Sequence, residues 1–266
     1  MKHIKRKFLL SHDVKKDGYE FMVEQMSNAK SHKNISLEKY VPHILTTEQK
    51  FIQAFFYELD SIKYPIPEPN PIIIYFSNAQ GFLNVINEER EKLFSELRTE
   101  SFIISNMLNH MFGFYGCVVN YTSSLFDSLE AFVNSKIPKE YKCENPKRRG
   151  KIMNKYEIIR YSSFEEKVKT NMTEIYNGKN FAIEKSHLFE NIIKLKKLRD
   201  NITHAKADLD YDVNYYEKLF TEALNFDYTK TIESARDFIN YYEENFITII
   251  SIFLFTYAGL RSGSKI

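Results

Sequence analysis

One long apolar stripe constrains the fold of this chain more than any other feature of its sequence. Between Phe102 and Pro138, apolar or small residues stay within one broad face when each residue advances about 100° around a helix. The stripe consists of Ile104, Met107, Leu108, Met111, Phe114, Tyr115, Val118, Leu125, Phe126, Leu129, Phe132, Val133 and Ile137. It predicts one helix about 50 Å long at about 1.5 Å per residue, ended by Pro138. Because a helix of this length needs long neighbours, it favours a helical bundle.

The segments that follow also carry helical patterns. Helices are predicted over residues 163–176, 186–206 and 213–226, and Asp227 is a plausible N-cap for a last helix that runs into the apolar segment 246–260. That segment has fifteen residues, Thr and Ser among them, against the roughly 20 that span a membrane. We therefore expect a buried helix there and no membrane partner. Short connections favour antiparallel packing, so residues 101–266 are predicted to form a mainly α, up-and-down bundle.

Residues 1–100 are predicted to form a separate, mostly helical region of unknown role. Residues 1–45 suggest short helices and loops, and the capping box Thr46-Thr47-Glu48-Gln49 starts a helix predicted to reach Ile62. Alternate prolines make residues 64–71 an extended connector. A short strand over Ile72 to Phe76 and a helix from Ser77 to about Arg98 are expected next. After the long helix, residues 139–161 are predicted to be a loop.

Composition limits the class of protein and its compartment. Hydrophobic residues make up 43% of the 266 and charged residues 27%, which is ordinary for a globular chain. The formal charge of +2 is too close to balance to name an anionic partner. Two cysteines, Cys117 and Cys143, build neither a disulfide framework nor a four-ligand zinc site, so we expect a reducing compartment, the cytoplasm. The apolar run after Met1 to Lys7 is too short for a signal peptide, and no histidine or carboxylate spacing predicts a metal or another cofactor.

A polar island interrupts the second of these later helical segments, residues 186–206. It reads Lys196-Lys197-Leu198-Arg199-Asp200-Asn201-Ile202-Thr203-His204, and Arg199 lies at the margin of that helix's apolar stripe. His204 is about 140° farther round, so the Arg199 and His204 side chains do not share a face. Asp200 does share a face with His204, and a hydrogen bond between them would fix the imidazole tautomer and raise its pKa.

This Arg-x4-His pattern, with a polar residue directly after the arginine and late on a helix of a bundle, resembles the signature of HEPN (higher eukaryotes and prokaryotes nucleotide-binding) domains. The segment Leu125-Phe126-Asp127-Ser128-Leu129-Glu130-Ala131-Phe132-Val133-Asn134 is similar to the first long helix of many such domains. The resemblance covers about residues 105–255. It implies a metal-independent endoribonuclease, plausible as an RNA-cleaving toxin or antiviral defence effector, that works as a homodimer with a composite site and is restrained by a regulatory or antitoxin protein.

The same resemblance assigns roles to residues. Arg199 would hold the charge on the phosphoryl oxygens and His204 would transfer protons during attack of an RNA 2′-hydroxyl, which leaves a 2′,3′-cyclic phosphate. Asp200 would orient His204. Further candidates for contact with RNA are Asn201, Glu130, Asn134, Arg148 and Arg149, the last two in a basic loop from Lys142 to Lys155.

Other interpretations of these residues stay open. Arg199 could be a surface cation paired with a carboxylate, and His204 a histidine favoured by the helix dipole, in a non-catalytic binding or scaffold protein that dimerises through the bundle. The basic loop could simply be solvated. Asp208, Asp210 and Asp212 imitate the start of a calcium loop, but Val213 and Leu219 occupy the positions of its obligatory Gly and Glu. We interpret that segment as a solvated turn.

Overall fold

The structure, a computed structural model, describes residues 2–5, 11–12, 43–45, 51–99, 103–145, 150–204 and 213–250. In these ranges the protein is mainly helical, which confirms the predicted class. The helices are α1 (Pro71–Leu97), α2 (Ile104–Lys136), α3 (Lys155–Tyr161), α4 (164–175, with a π-helical turn over Lys167–Met172), α5 (Phe181–Glu184), α6 (Ser186–Thr203), α7 (Val213–Asn225) and α8 (Tyr228–Tyr242). The strands are β1 (Lys2–Lys5), β2 (Ser11–His12), β3 (His43–Leu45), β4 (Phe51–Leu59), β5 (Ile62–Pro67), β6 (Lys142–Asn145), β7 (Lys151–Asn154) and β8 (Ile247–Ile250).

The long helix α2 forms as predicted. It spans 33 residues, and it stops at Lys136 because Ile137, which precedes Pro138, adopts an extended conformation. Helix α1 packs beside it in the opposite direction: the Ser128 hydroxyl donates to the carbonyl of Ile72 at 2.8 Å, and His110 Nδ1 lies 2.9 Å from Glu89 Oε2. Residues 71–97 therefore share one core with the helices that follow residue 100.

Aromatic contacts fix the directions of the other long helices. Tyr121 and Phe132 of α2 meet Tyr228 and Phe238 of α8 in the same order along both helices, so α2 and α8 run parallel. Helix α6 runs antiparallel to α8. The backbone N–H of Phe181, just before α6, donates to the Tyr242 hydroxyl oxygen, and the Asn191 side chain, farther along α6, donates to the Ser234 hydroxyl earlier on α8. Helix α6 thus packs in the bundle and carries the Arg199/His204 motif on its second half.

The helix predicted over residues 46–62 is wrong in the part that the structure describes, because residues 51–59 form a strand. Strand β4 forms an antiparallel hairpin with β5, and β2 and β3 also pair with β4. Asp60 and Ser61, with φ of 52° and 62°, form the two-residue turn that suits the twist of a hairpin. The aromatic and β-branched residues of 51–59 favour a strand, and the prolines of β5 are tolerated because no other described strand pairs with it.

The strand predicted for Ile72 to Phe76 is also wrong, because these residues form the first turns of α1. The Asn70 side chain caps the helix by accepting from the amide of Ile72 at 3.0 Å, and Pro71 occupies the first helical position, where its missing N–H costs nothing. The rest of the expected helix, from Ser77 to about Arg98, is confirmed.

Two further expectations need correction. Residues 139–161 are not one loop: β6 and β7 pair as a hairpin, and α3 follows with a capping box between Asn154 and Glu157. The last helix begins after Asp227 as predicted, but it ends at Tyr242, and β8 pairs with β1 instead of continuing a helix. Residues 251–260 lie outside the described residues. None of the described helices is long and apolar enough to cross a membrane.

Candidate active site

Arg199 lies where α6 crosses α2. Its guanidinium carbon stands 4.4 Å from the centre of the Phe126 ring, and Phe126 is fully buried. The Arg199 side chain is 23% exposed, and Nη1 is 2.9 Å from Asp200 Oδ1. Its Nε is buried and has no hydrogen-bond partner among the described residues. A buried donor without a partner costs about 1–3 kcal/mol. Packing on Phe126 therefore holds this cation at the interface although its hydrogen-bonding capacity is not filled.

Asp127 faces the same arginine from α2 and was not among the residues singled out from the sequence. Its side chain is exposed, yet partial desolvation by the surrounding protein raises the pKa of its carboxyl group, while the positive charge of Arg199 acts to lower it. The segment that carries the resemblance contains Asp127, but only the crossing of α2 and α6 brings it to Arg199.

Asp200 bridges two cations. Lys196 Nζ lies 2.6 Å from one carboxylate oxygen, and Arg199 Nη1 lies 2.9 Å from the other. The backbone N–H of His204 donates to the carbonyl of Asp200 at 3.0 Å, and no hydrogen bond between the Asp200 carboxylate and the His204 imidazole occurs in the described part of the chain. In this conformation Asp200 positions Arg199 and Lys196 rather than the histidine.

His204 marks the end of α6. It occupies the C-cap position, with φ −100° and ψ 12°, and its side chain is exposed. His204 follows Arg199 by five residues, which on a helix corresponds to about 7.5 Å along the axis and about 140° around it. On this helix the two motif side chains therefore leave different faces, and no hydrogen bond joins them among the described residues.

Asn201 connects α6 to α7. Its side-chain amide donates to Glu222 Oε2 at 3.3 Å, and its carbonyl accepts from the Tyr215 hydroxyl at 2.9 Å. Both contacts fix the second half of α6 against α7. They place Asn201 on the side of α6 away from Phe126.

Glu130 and Asn134 meet a buried lysine instead of the motif helix. Lys167, on the π-helical turn, donates to Asn134 Oδ1 at 3.0 Å, and its Nζ lies 3.9 Å from Glu130 Oε1. The Lys167 side chain is only 3% exposed. Burial lowers its pKa, and the charge of Glu130 partly offsets that shift. Asp127, Glu130 and Asn134 thus form one polar row on α2, with Arg199 at one end and Lys167 at the other.

The lowered pKa of Lys167 makes the stability of the fold depend on pH. Between the lowered native pKa and about 10.4, the ordinary value for lysine, the unfolded chain binds more protons than the folded chain, so this group makes the free energy of unfolding rise with pH. We expect K167M to lack this contribution. Urea unfolding from about pH 7 to about pH 10 should show the wild type gaining stability relative to K167M.

The matched control is K169M, because Lys169 lies on the same turn but its side chain is 53% exposed. The difference between wild type and K169M should not change with pH over that range. A difference between wild type and K167M that stays constant, or that falls as pH rises, would contradict a lowered native pKa.

The remaining candidates lie outside the described residues. Arg148 and Arg149 belong to residues 146–149, and Asp208, Asp210 and Asp212 belong to residues 205–212. Within the described ranges no group of three or more histidine, cysteine, aspartate or glutamate side chains is placed to hold a metal ion.

The arrangement as a whole offers a clamped arginine beside two carboxylates and an exposed histidine at the end of the same helix. The resemblance to HEPN domains rests on the Arg-x4-His motif and on the segment from Leu125 to Asn134. Comparison of the chain with models of known families, with curated proteins and with solved structures found no match.

Proposed function

We propose that the protein is a metal-independent endoribonuclease of the HEPN type. The observation that carries the proposal is the placement of Arg199: a cation stacked on the buried Phe126, with its Nε unpartnered among the described residues, on the helix that ends at the exposed His204. A permanently charged, planar guanidinium is well matched to phosphoryl oxygens. An imidazole has one nitrogen that can accept a proton and another that can donate one, so it is suited to move the protons of the reaction.

The reaction is a transesterification within the RNA. The 2′-oxygen attacks the adjacent phosphorus, the bond from phosphorus to the 5′-oxygen breaks, and the products are a 2′,3′-cyclic phosphate and a 5′-hydroxyl. His204 takes the proton of the 2′-hydroxyl or delivers one to the leaving 5′-oxygen, and Arg199 stabilises the negative charge that develops on the phosphoryl oxygens. Because these side chains are separated within one copy, the working site includes residues of a second copy, and the protein acts as a homodimer.

The role that fits such an activity is that of an RNA-cleaving toxin or antiviral effector restrained by a regulatory or antitoxin protein. This part of the proposal rests on the resemblance alone.

A specific observation favours the alternative of a non-catalytic scaffold: Ile104, Leu108 and Phe112 follow one another at every fourth position of α2 and are 62%, 44% and 76% exposed. Such a row is typical of a surface that binds another protein.

Cleavage of RNA in the presence of EDTA tests the proposed activity. Incubated with a total RNA pool, the purified protein should cleave it, and the fragments should carry 2′,3′-cyclic phosphate and 5′-hydroxyl ends, because His204 supplies the proton transfer and the reaction needs no divalent metal. Mass spectrometry of a short RNA identifies the ends. Cleavage that appears only when a divalent metal is added would exclude this mechanism.

A second arm of the same experiment tests the composite site. The wild type is refolded with a roughly ninefold excess of a variant that lacks both Arg199 and His204, so that about nine in ten wild-type subunits have an inactive partner. Cleavage per wild-type subunit should then fall about tenfold, whereas an active monomer would keep its full rate.

A further inference from the structure

A cleft of about 940 Å³ opens between α6, α7 and the start of α8. Four lysines line it: Lys194 and Lys197 from α6, Lys218 from α7 and Lys230 from α8. All four are exposed, and none lies within 4.0 Å of a carboxylate among the residues that the structure describes. Three helices thus direct unpaired ammonium groups towards one concave surface.

The carboxylates of the same cleft do not neutralise these lysines by direct contact. Glu222 accepts from the side chain of Asn201, and Asp227 accepts from the backbone N–H of Lys230 as the cap of α8. Glu217 is exposed and has no ion-pair partner among the described residues. Two of the three acidic groups are therefore engaged in holding the helices, whereas all four ammonium groups stay available for an anion.

The cleft lies on the histidine side of the motif helix. His204 follows Lys197 by seven residues, which on α6 corresponds to about 20° around the axis and about 10 Å along it. Arg199, in contrast, is turned towards Phe126 on the other side. A chain of phosphates held by Lys194 and Lys197 would therefore run along α6 towards His204.

We propose that this cleft binds the phosphate backbone of single-stranded RNA and guides it to His204. The inference rests on the proposed function and adds to it the surface that holds the substrate. A single strand can bend into a concave cleft, whereas a rigid A-form duplex touches only its rim. Among the described residues that line the cleft, Phe226 is the one aromatic residue, and its ring packs against Tyr228. Charge rather than base stacking therefore dominates the binding, which makes it tolerant of sequence and sensitive to salt.

Binding of a non-cleavable RNA tests this proposal without relying on catalysis. The probe is a fluorescent, fully 2′-O-methylated single strand, which lacks the attacking hydroxyl, and anisotropy is measured in EDTA at several salt concentrations. For a single strand, each phosphate contact contributes about −0.7 to the slope of log K against log salt. The variant K194Q/K197Q/K218Q/K230Q should therefore flatten the slope by about 3 and weaken binding at low salt by about tenfold or more.

The matched control is K63Q/K139Q/K179Q/K185Q, which removes the same charge from four exposed lysines away from the cleft. It should bind the probe with the wild-type slope, and thermal unfolding of both variants should stay at the wild-type temperature. Equal losses in the two variants would show that only net charge matters and would overturn the proposal. A wild type that does not bind the probe, or that prefers the duplex of the same sequence, would overturn it as well.

The outcome is separable from that of the proposed function. Loss of binding in the cleft variant alone, together with no cleavage of unmodified RNA by the wild type, would support an RNA-binding cleft and refute the ribonuclease. Cleavage that survives in the cleft variant at the wild-type KM would refute the cleft and leave the ribonuclease in place.

Discussion

Replacing His204 with alanine is expected to lower the rate of RNA cleavage by about 10² to 10⁴, the usual contribution of a general acid or base. The side chain is exposed at the end of α6, so its loss should change the free energy of unfolding by less than about 1 kcal/mol. Single-turnover cleavage of a labelled RNA and thermal unfolding of the same preparation measure the two quantities.

Matched substitutions sharpen this experiment. His187 is an exposed histidine near the start of the same helix, so H187A should cleave as the wild type does. R199K should fail although it keeps the charge, because lysine cannot reproduce the two-point grip of a guanidinium. R160K, at an exposed arginine of α3, serves as its control. If H204A and R199K both cleave as the wild type does, the motif is not the active site. If neither the wild type nor the variants cleave RNA, the scaffold alternative stands, and dimerisation or partner binding becomes the property to measure.

Phe126→Ala should destabilise the protein by about 3–5 kcal/mol, because it removes a fully buried ring from the centre of the bundle and leaves a cavity. At about 2–4 °C per kcal/mol for a domain of this size, Tm should fall by roughly 6–20 °C. The ring contacts both Arg199 and Phe164, so the loss extends to the packing of α4 and α6 against α2. Calorimetry measures the change.

Phe126→Leu separates the role of the ring in packing from its role beneath Arg199. It keeps an apolar side chain in place, but it removes the aromatic face on which the guanidinium stacks, a contact worth about 0.5–2 kcal/mol. Cleavage should fall by about two- to thirtyfold if that contact positions Arg199 for the reaction. Phe132 is a fully buried phenylalanine on the same helix whose ring faces Phe238. F132L should lose comparable stability without that loss of cleavage, and equal losses in both would show that the ring acts through stability alone.

The sequence predicts the long helices because each has an apolar stripe that repeats over several turns. The stripe of α2 continues to Ile137, and Pro138 supplies a clear stop. An apolar pattern does not predict the hairpin of β4 and β5. A run as short as Phe51 to Leu59 fits both the helical period of about 3.6 residues and the strand period of about 2. The hairpin turn at Asp60 and Ser61 also lacks the glycine that usually marks a two-residue hairpin. The start of α1 could have been found from Asn70 and Pro71, which form a common helix beginning.

The motif residues of the candidate site could be selected from sequence, but their contacts could not. Arg199 stands at the margin of the α6 stripe, which indicates a partly buried position, and the structure places it there. Its contact with Phe126 and the approach of Asp127 depend on the angle at which α2 and α6 cross, and no local pattern encodes that angle. Glu130 and Asn134 were selected from their positions on α2. Their partner Lys167 lies on a π-helical turn, which no pattern in the sequence predicts.

The pairing of β1 with β8 bears on the order in which the protein folds. Lys2 pairs with Ile250, so this two-stranded sheet closes a loop that contains every described helix. Helices α1 and α2, which follow each other directly, can dock as soon as both have left the ribosome, whereas β1 must wait for a strand synthesised after all of them. Loop closure over such a separation comes late, since the entropy of a long chain segment is lost before the pairing stabilises anything. We therefore expect the helical core of a nascent chain to assemble while the backbone N–H and C=O groups of β1 are still unpaired. Until β8 is synthesised, these groups can pair with strands of other chains, so β1 is a segment that a chaperone would need to cover.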